Sequence, residues 1–319
     1  MICRICKNKS SFISIDSYKH VWFFCKNCKN IFSKKKLKRD SIFKLKLVEA
    51  VSNITNSQRL RKLLLFSNIS GKEFYTYSPG NVNYYTGNYF PNKMSNNKWK
   101  NHDEIFIKNL DKYNINLNSK KILSISDEPG TIVQTLSKYT RLDNITLTAY
   151  EKNTAYHMNK ILGCKVIEFD LNNDKLSNLV NDSYDLIFFR STLNFNLDFV
   201  SIFNELDKIS KKNTQIIFNF HTPTISSCLM WMFDDYTLLS LVNFEYIEAL
   251  INKTNFKIIE KRKVLFNPRK YYYNTTIKKL FYYPFYFYYL FKFYISNFNK
   301  NFIDNNFNEV SYKLILKKV

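Results

Sequence analysis

From residue 101 to residue 266 the chain alternates short apolar runs with amphipathic stretches, and this alternation restricts the fold more than any other feature. Buried strands are read at 121–126, 145–150, 166–169, 184–189, 215–220 and 256–266, with a last strand at 309–317. Helical spacing is read between them, at 102–113, 131–139, 156–162, 198–209 and 244–252. Continuous apolar strands separated by helices bury both faces of a sheet, so the expected core is parallel, covered by helices on each side, with its ligand at the carboxyl ends of the strands.

Composition sharpens this in two places. The 319 residues include only 5 glycines, against roughly four times as many in an average chain. Asn, Lys, Ile, Phe and Tyr are in excess, all with A/T-rich codons, so a single Lys or Tyr says little about function. Codon bias does not explain the charge pattern, however. Residues 1–100 carry a net +16, residues 101–260 a net −4 and residues 261–319 a net +10. Basic flanks suit a phosphate-bearing substrate, nucleic acid or an anionic membrane surface, and equally a solvated lysine-rich face.

Residues 1–28 hold no apolar core of the length a secretory signal needs. The strongest membrane candidate, 280–296, is interrupted by Pro284 and Lys292 and rich in Tyr. It also falls short of the roughly 20 residues of a span. A cytoplasmic protein is expected, at most peripheral to the inner face of a membrane.

Cys3 and Cys6 form one Cys-x-x-Cys pair and Cys25 and Cys28 another, eighteen residues apart. Each such turn presents two sulfurs on one side of a knuckle, and zinc favours four thiolates in a tetrahedron. Short strands at 12–15 and 20–24 would bring the knuckles together. A structural zinc ribbon over 1–36 is the reading. An iron–sulfur site, a redox pair or a ribbon that has lost its metal are the alternatives. Cys164 and Cys228 stand alone and read as buried apolar residues. Residues 37–100 read as a helical and Tyr-rich lid or linker, with an amphipathic stretch at 42–66 and breaks at Pro79-Gly80 and Thr86-Gly87.

Acidic and loop residues punctuate the strand ends: Ser126-Asp-Glu-Pro-Gly130 after the first, Glu151 after the second, Asp170 after the third. An acid ending the second strand can accept both ribose hydroxyl protons of a nucleoside. In order and spacing, Ile122–Gly130, Thr148-Ala-Tyr-Glu151, Val166-Ile-Glu-Phe-Asp170 and Tyr184–Arg190 resemble the class I S-adenosylmethionine-dependent methyltransferases. The resemblance covers about half the chain. It implies a Rossmann-like α/β domain over 101–319, mostly parallel with an antiparallel last strand, and an aromatic basic insertion at 267–308. It implies S-adenosyl-L-methionine as cofactor, held by Ser126, Gly130, Glu151, Asp170 and Arg190. The family usually has an acid where Ser124 stands and glycines where Ser126 and Glu128 stand; Gly130 alone is kept.

A ribbon ahead of such a core resembles bacterial methyltransferases of sugar and surface-glycan biosynthesis. That implies a small anionic sugar derivative or glycolipid as acceptor. An rRNA base methyltransferase is the runner-up, and a non-catalytic binding protein of the same fold the third reading. His221, directly after the fifth strand, is the candidate general base, with a packed structural histidine as the alternative. Arg190 is also placed to bind an acceptor carboxylate or phosphate. Tyr84, Tyr85 and Tyr89 are placed to close over the cofactor. Basic and aromatic residues at 278–300 suit a lipid interface or a helix packed on the sheet.

Overall fold

The computed structural model describes residues 1–15, 21–34, 97–111, 113, 115–126, 130–149, 152–179, 183–190, 192–224, 238–266 and 309–319. Outside them lie the expectations at 42–66, Tyr84, Tyr85 and Tyr89, residues 127–129, Glu151, Cys228 and the segment 278–300.

The chain falls into two compact units, one of Met1–Lys35, Phe189–Lys208 and Gln215–Val319, the other of Lys36–Phe188 and Ile209–Thr214. A seven-stranded sheet is built from β4 (Ile122–Ser124), β5 (Ile145–Ala149), β6 (Lys165–Glu168), β7 (Tyr184–Phe189), β8 (Ser210–His221), β10 (Phe256–Phe266) and β11 (Glu309–Lys318). Its order is β10-β11-β8-β7-β4-β5-β6. β4 is parallel to both β5 and β7, and β5 to β6. β11 runs antiparallel to both neighbours, β10 and β8. The last strand thus enters between the fifth and the sixth of the sheet, giving a Rossmann-like, mostly parallel arrangement with an antiparallel last strand, as expected. The short central strands are apolar on both faces, as continuous runs such as Leu-Ile-Phe-Phe in β7 require.

In the second unit, α1 (Asn97–Asp111) places Asp103, Phe106, Ile107 and Leu110 in one buried stripe. Phe106 meets Phe188 of β7 edge to face, ring centroids 5.3 Å apart. α2 (Ile132–Leu136) and α3 (Lys152–Leu162) follow β4 and β5; α3 buries Ala155, Met158 and Leu162 at helical spacing. A single turn, α4 (Leu176–Leu179), follows β6.

In the first unit, α5 (Phe199–Ile209) buries Phe199, Ile202, Phe203 and Leu206, and Phe203 packs on Phe218 of β8. α6 (Phe244–Ile251) is capped by Asn243, whose side chain accepts from Tyr246 N–H. The N-terminal residues form β1 (Ser11–Ile15), β2 (Val21–Phe24) and β3 (Ile31–Ser33), an antiparallel meander that continues into β9 (Ser240–Leu241). Trp22, Ile31 and Phe32 form its fully buried heart.

Two differences from the sequence reading have local causes. β8 begins at Ser210 rather than at Gln215, because Thr214 Oγ1 donates to Tyr184 O at 2.6 Å and Lys211 pairs with Asp185 at 2.8 Å. These contacts hold a polar stretch, Lys211-Lys-Asn213, in the sheet despite its low strand propensity. β3 and β9 are three and two residues long, too short to show a period.

Candidate functional site

The sulfurs of Cys3, Cys6, Cys25 and Cys28 lie within 4.8 Å of one another. Cys3 and Cys28 Sγ are 3.8 Å apart and Cys6 and Cys25 Sγ 3.4 Å. A tetrahedral zinc with bonds of about 2.3 Å needs sulfurs separated by roughly 3.8 Å. The two knuckles are built alike. Cys3 N–H donates to Asn8 O and Cys25 N–H to Asn30 O, each five residues on. The residue after each second cysteine, Lys7 or Lys29, has positive φ, 64° and 53°. Cys6 N–H points at Cys3 Sγ (3.5 Å), and the Asn8 side-chain amide at Cys6 Sγ (3.5 Å). Donors of this kind stabilise thiolates. The hydrogen bond with Cys28 pulls the Cys3 thiol down to about 5 and pushes Cys28 up. The set therefore fits a closed four-thiolate zinc site, with no position left for a substrate. By contrast, burial pushes Cys164 up to about 11, as expected of an inert core thiol.

The ribbon is tied to the residues after β8. Ser33 N–H donates to Leu239 O (2.8 Å), and Asn243 N–H to Asn30 Oδ1 (2.6 Å). At the centre of this region is Asn194, fully buried. Its Oδ1 accepts from His221 N–H at 2.8 Å, and its Nδ2 donates to His221 O at 2.9 Å and to Ser240 O at 3.0 Å. Its own carbonyl accepts from Leu239 N–H. One amide thus fixes His221, the last residue of β8, against β9, which is in turn paired to the ribbon. His221 Nδ1 lies 3.0 Å from Ser311 Oγ on β11. Arg190, directly after β7, is half-buried, and its carbonyl accepts from Thr192 Oγ1. The sequence reading did not single out Asn194. An Asn five residues past a strand carries no pattern, and its role rests on partners 27 and 46 residues away.

In the second unit, the loops after β4 and β6 open on one edge of the parallel sheet, with β5 between them. Ser126 has φ 52°, the left-handed geometry that the missing glycine would adopt freely. Its N–H donates to Thr148 Oγ1 on β5 at 2.8 Å, and Ile125 N–H donates to Phe188 O at 2.9 Å. Gly130 has φ 80°, and an added Cβ would lie 2.6 Å from Leu162 Cδ1 and 2.9 Å from Leu147 Cδ1. Thr131 Oγ1 donates to Asp103 Oδ2 at 2.5 Å, securing the loop's far end to α1. Asp170 is buried and organises its own turn. Its Oδ1 accepts from Asn172 N–H and its Oδ2 from the Asn173 amide, while its N–H donates to Asp174 Oδ2.

No family model matches the chain, and no curated protein matches it. Solved structures do align with it. Magnesium protoporphyrin IX methyltransferase from Synechocystis, with bound SAH, is 12% identical over 76% of this chain and 91% of its own, with a TM-score of 0.44. A SAM-dependent methyltransferase from Archaeoglobus fulgidus is 13% identical over 68% and 94%, TM-score 0.42. A protein from Pyrococcus horikoshii is 12% identical over 75% and 99%, TM-score 0.47. Likeness at this level says nothing of what this chain binds, and its fold stands on its own strand order.

Proposed function

We propose that the protein transfers a methyl group from S-adenosyl-L-methionine to a small anionic sugar derivative or glycolipid, with zinc in the ribbon as a structural metal. The observation that carries the cofactor half is the backbone of the loop after β4. Ser126 holds the left-handed geometry without glycine, and at Gly130, with φ 80°, an added Cβ would press on the side-chain ends of Leu162 and Leu147. Strained backbone of this kind clusters at ligand-binding loops, and this supports a bound nucleoside here. In this reading the Ser126–Gly130 backbone runs along the methionine portion, Glu151 accepts from the ribose hydroxyls, and Asp170 shapes the adenine end. Asp170 is held in place by the turn it organises, its oxygens accepting from Asn172 N–H and the Asn173 amide.

The cofactor supplies an electrophilic methyl on a sulfonium, so the protein's task is to align a nucleophile behind it. His221 takes the acceptor's proton in this reading. Asn194 fixes its backbone on both sides and Ser311 orients its Nδ1, as a general base requires. Arg190 meets an acidic group of cofactor or acceptor. The sugar-type acceptor is supported by the ribbon style and the basic flanks; an rRNA acceptor fits the same flanks. Calorimetry with S-adenosylhomocysteine tests the reading: the intact protein binds, and Glu151→Ala loses on the order of tenfold or more in affinity. No binding by intact, zinc-loaded protein overturns it in favour of a non-catalytic scaffold.

A further inference from the structure

We propose that Asn30 is a positioning residue that ties the setting of His221 to zinc, acting through two consecutive backbone donors. Asn243 N–H donates to Asn30 Oδ1 at 2.6 Å, and Val242 N–H donates to His221 O at 3.0 Å. Asn30 and Val242 are both fully buried. The short segment before α6 is thus held at one donor by the second cysteine knuckle and at the next by the end of β8. Asn194, which pairs with the N–H and the carbonyl of His221, reaches the same segment at Ser240 O, 3.0 Å away.

The near-symmetry of the two knuckles singles Asn30 out. Asn8 and Asn30 occupy matching places, each accepting the N–H of its knuckle's first cysteine at the backbone carbonyl. Asn8 is exposed and turns its side chain to its own knuckle, donating to Cys6 O at 3.2 Å and Cys6 Sγ at 3.5 Å. Asn30 does not. Its Oδ1 is taken by Asn243 N–H, and its buried Nδ2 has no hydrogen-bond partner. Buried amides are nearly always paired, so this orientation satisfies Asn243 at the expense of the side chain's own donor. The backbone of residue 30 therefore follows the cysteine turn, and its side chain follows the segment before α6. Lys29, just ahead of it, is left-handed at φ 53°. A metal joining Cys25 and Cys28 fixes that turn, and with it the reach of Oδ1 to Asn243. The segment is held a second time by Ser33 N–H to Leu239 O, so loss of zinc shifts His221 rather than releasing it.

The proposal rests on His221 as the group that takes the acceptor's proton, and it adds control by the ribbon's metal to that step. Nuclear magnetic resonance on the full chain tests it, with the His221 ring signals assigned by their loss in His221→Gln. The signals move when zinc is chelated and return with one zinc equivalent per chain. At saturating zinc, Asn30→Ala moves them in the direction that chelation does. Asn8→Ala, the matching change in the other knuckle, weakens zinc by about tenfold and, once zinc is saturating, leaves His221 in place. Ring signals indifferent to zinc, or moved alike by both substitutions, overturn the proposal. If Asn30→Ala does not fold, the zinc titration of the unaltered chain and of Asn8→Ala still decides it. S-adenosylhomocysteine binding is read separately. Zinc-dependent His221 signals without cofactor binding would sink the methyltransferase reading and leave the coupling standing; cofactor binding with His221 indifferent to zinc would sink the coupling alone.

Discussion

The zinc knuckles and the loop after β4 pose the same backbone problem and answer it differently. Each needs left-handed residues, and a chain with 5 glycines in 319 places Lys7, Lys29 and Ser126 there instead. In the knuckles the strain is offset by chemistry that the sequence displays, four thiolates at fixed spacing that one metal can join. In the loop it is offset by hydrogen bonds that no motif displays: Ser126 N–H to Thr148, Ile125 N–H to Phe188. A site made by ligand identity can be read from spelling. One made by backbone shape can lose its spelling and keep its form.

The first way to break this comparison is to remove the metal. Cys25→Ala, or chelation, should take away one zinc equivalent per chain. Apparent zinc affinities of such sites are on the order of 10 kcal/mol, a larger contribution than three short strands packed around Trp22, Ile31 and Phe32 are expected to supply. Amide exchange should show β2 and β3 opening while β4–β6 stay protected. Ribbon amides that remain protected without zinc would show that core packing around Trp22 and Phe32 holds the module, and would remove the contrast.

The corresponding blow to the loop is Gly130→Ala. The added methyl meets Leu162, Leu147 and Met158 at 3.0 Å or less and sits at φ 80°. Overpacking of about 1–3 kcal/mol adds to a left-handed penalty of about 1–2 kcal/mol. We expect a loss of about 4 kcal/mol in denaturant unfolding, with S-adenosylhomocysteine binding abolished. A change below about 1 kcal/mol would mean that the loop shifts freely, and its form would then say nothing about a ligand.

Next in size of effect, and beyond both regions in sequence, is Asn194. Asn194→Ala strips hydrogen bonds from His221 N–H, His221 O and Ser240 O, all in a buried region. Leaving them unpaired should cost about 3 kcal/mol. The His221 ring resonances should move in the variant even where the protein stays folded. A packed histidine with no link to β9 would leave them in place.

Legibility follows the same division. The parallel strands around β7 were readable because burial on both faces leaves an apolar run, as in Leu186–Phe189. The cysteine set was readable because its ligands are chemically distinctive. β9, two residues long, was not, since its pairing with β3 depends on Asn194 and Asn30 holding polar backbone from across the chain. Asp170 was legible in position and not in use. Sequence placed it after β6, but only the turn 170–174 reveals that its oxygens first serve Asn172 and Asn173.

The smallest effect separates the two answers most cleanly. Ser126→Gly removes a left-handed penalty of about 1–2 kcal/mol. It returns about 0.4–1 kcal/mol of chain entropy to the unfolded state. The difference is a gain of about 0.5 kcal/mol, and because the Ser126 contact to Thr148 is made by its backbone N–H, glycine keeps it. Ser126→Val, β-branched at φ 52°, should instead lose about 2 kcal/mol. Lys29→Gly relieves the same strain in a knuckle, but its benefit should vanish from measured zinc affinity, since the four sulfurs rather than residue 29 dominate that free energy. Paired denaturant midpoints and S-adenosylhomocysteine titrations decide the point. If Ser126→Gly lowers cofactor affinity, the serine side chain itself contacts ligand, and the loop is a rewritten binding motif rather than an old shape held by new bonds.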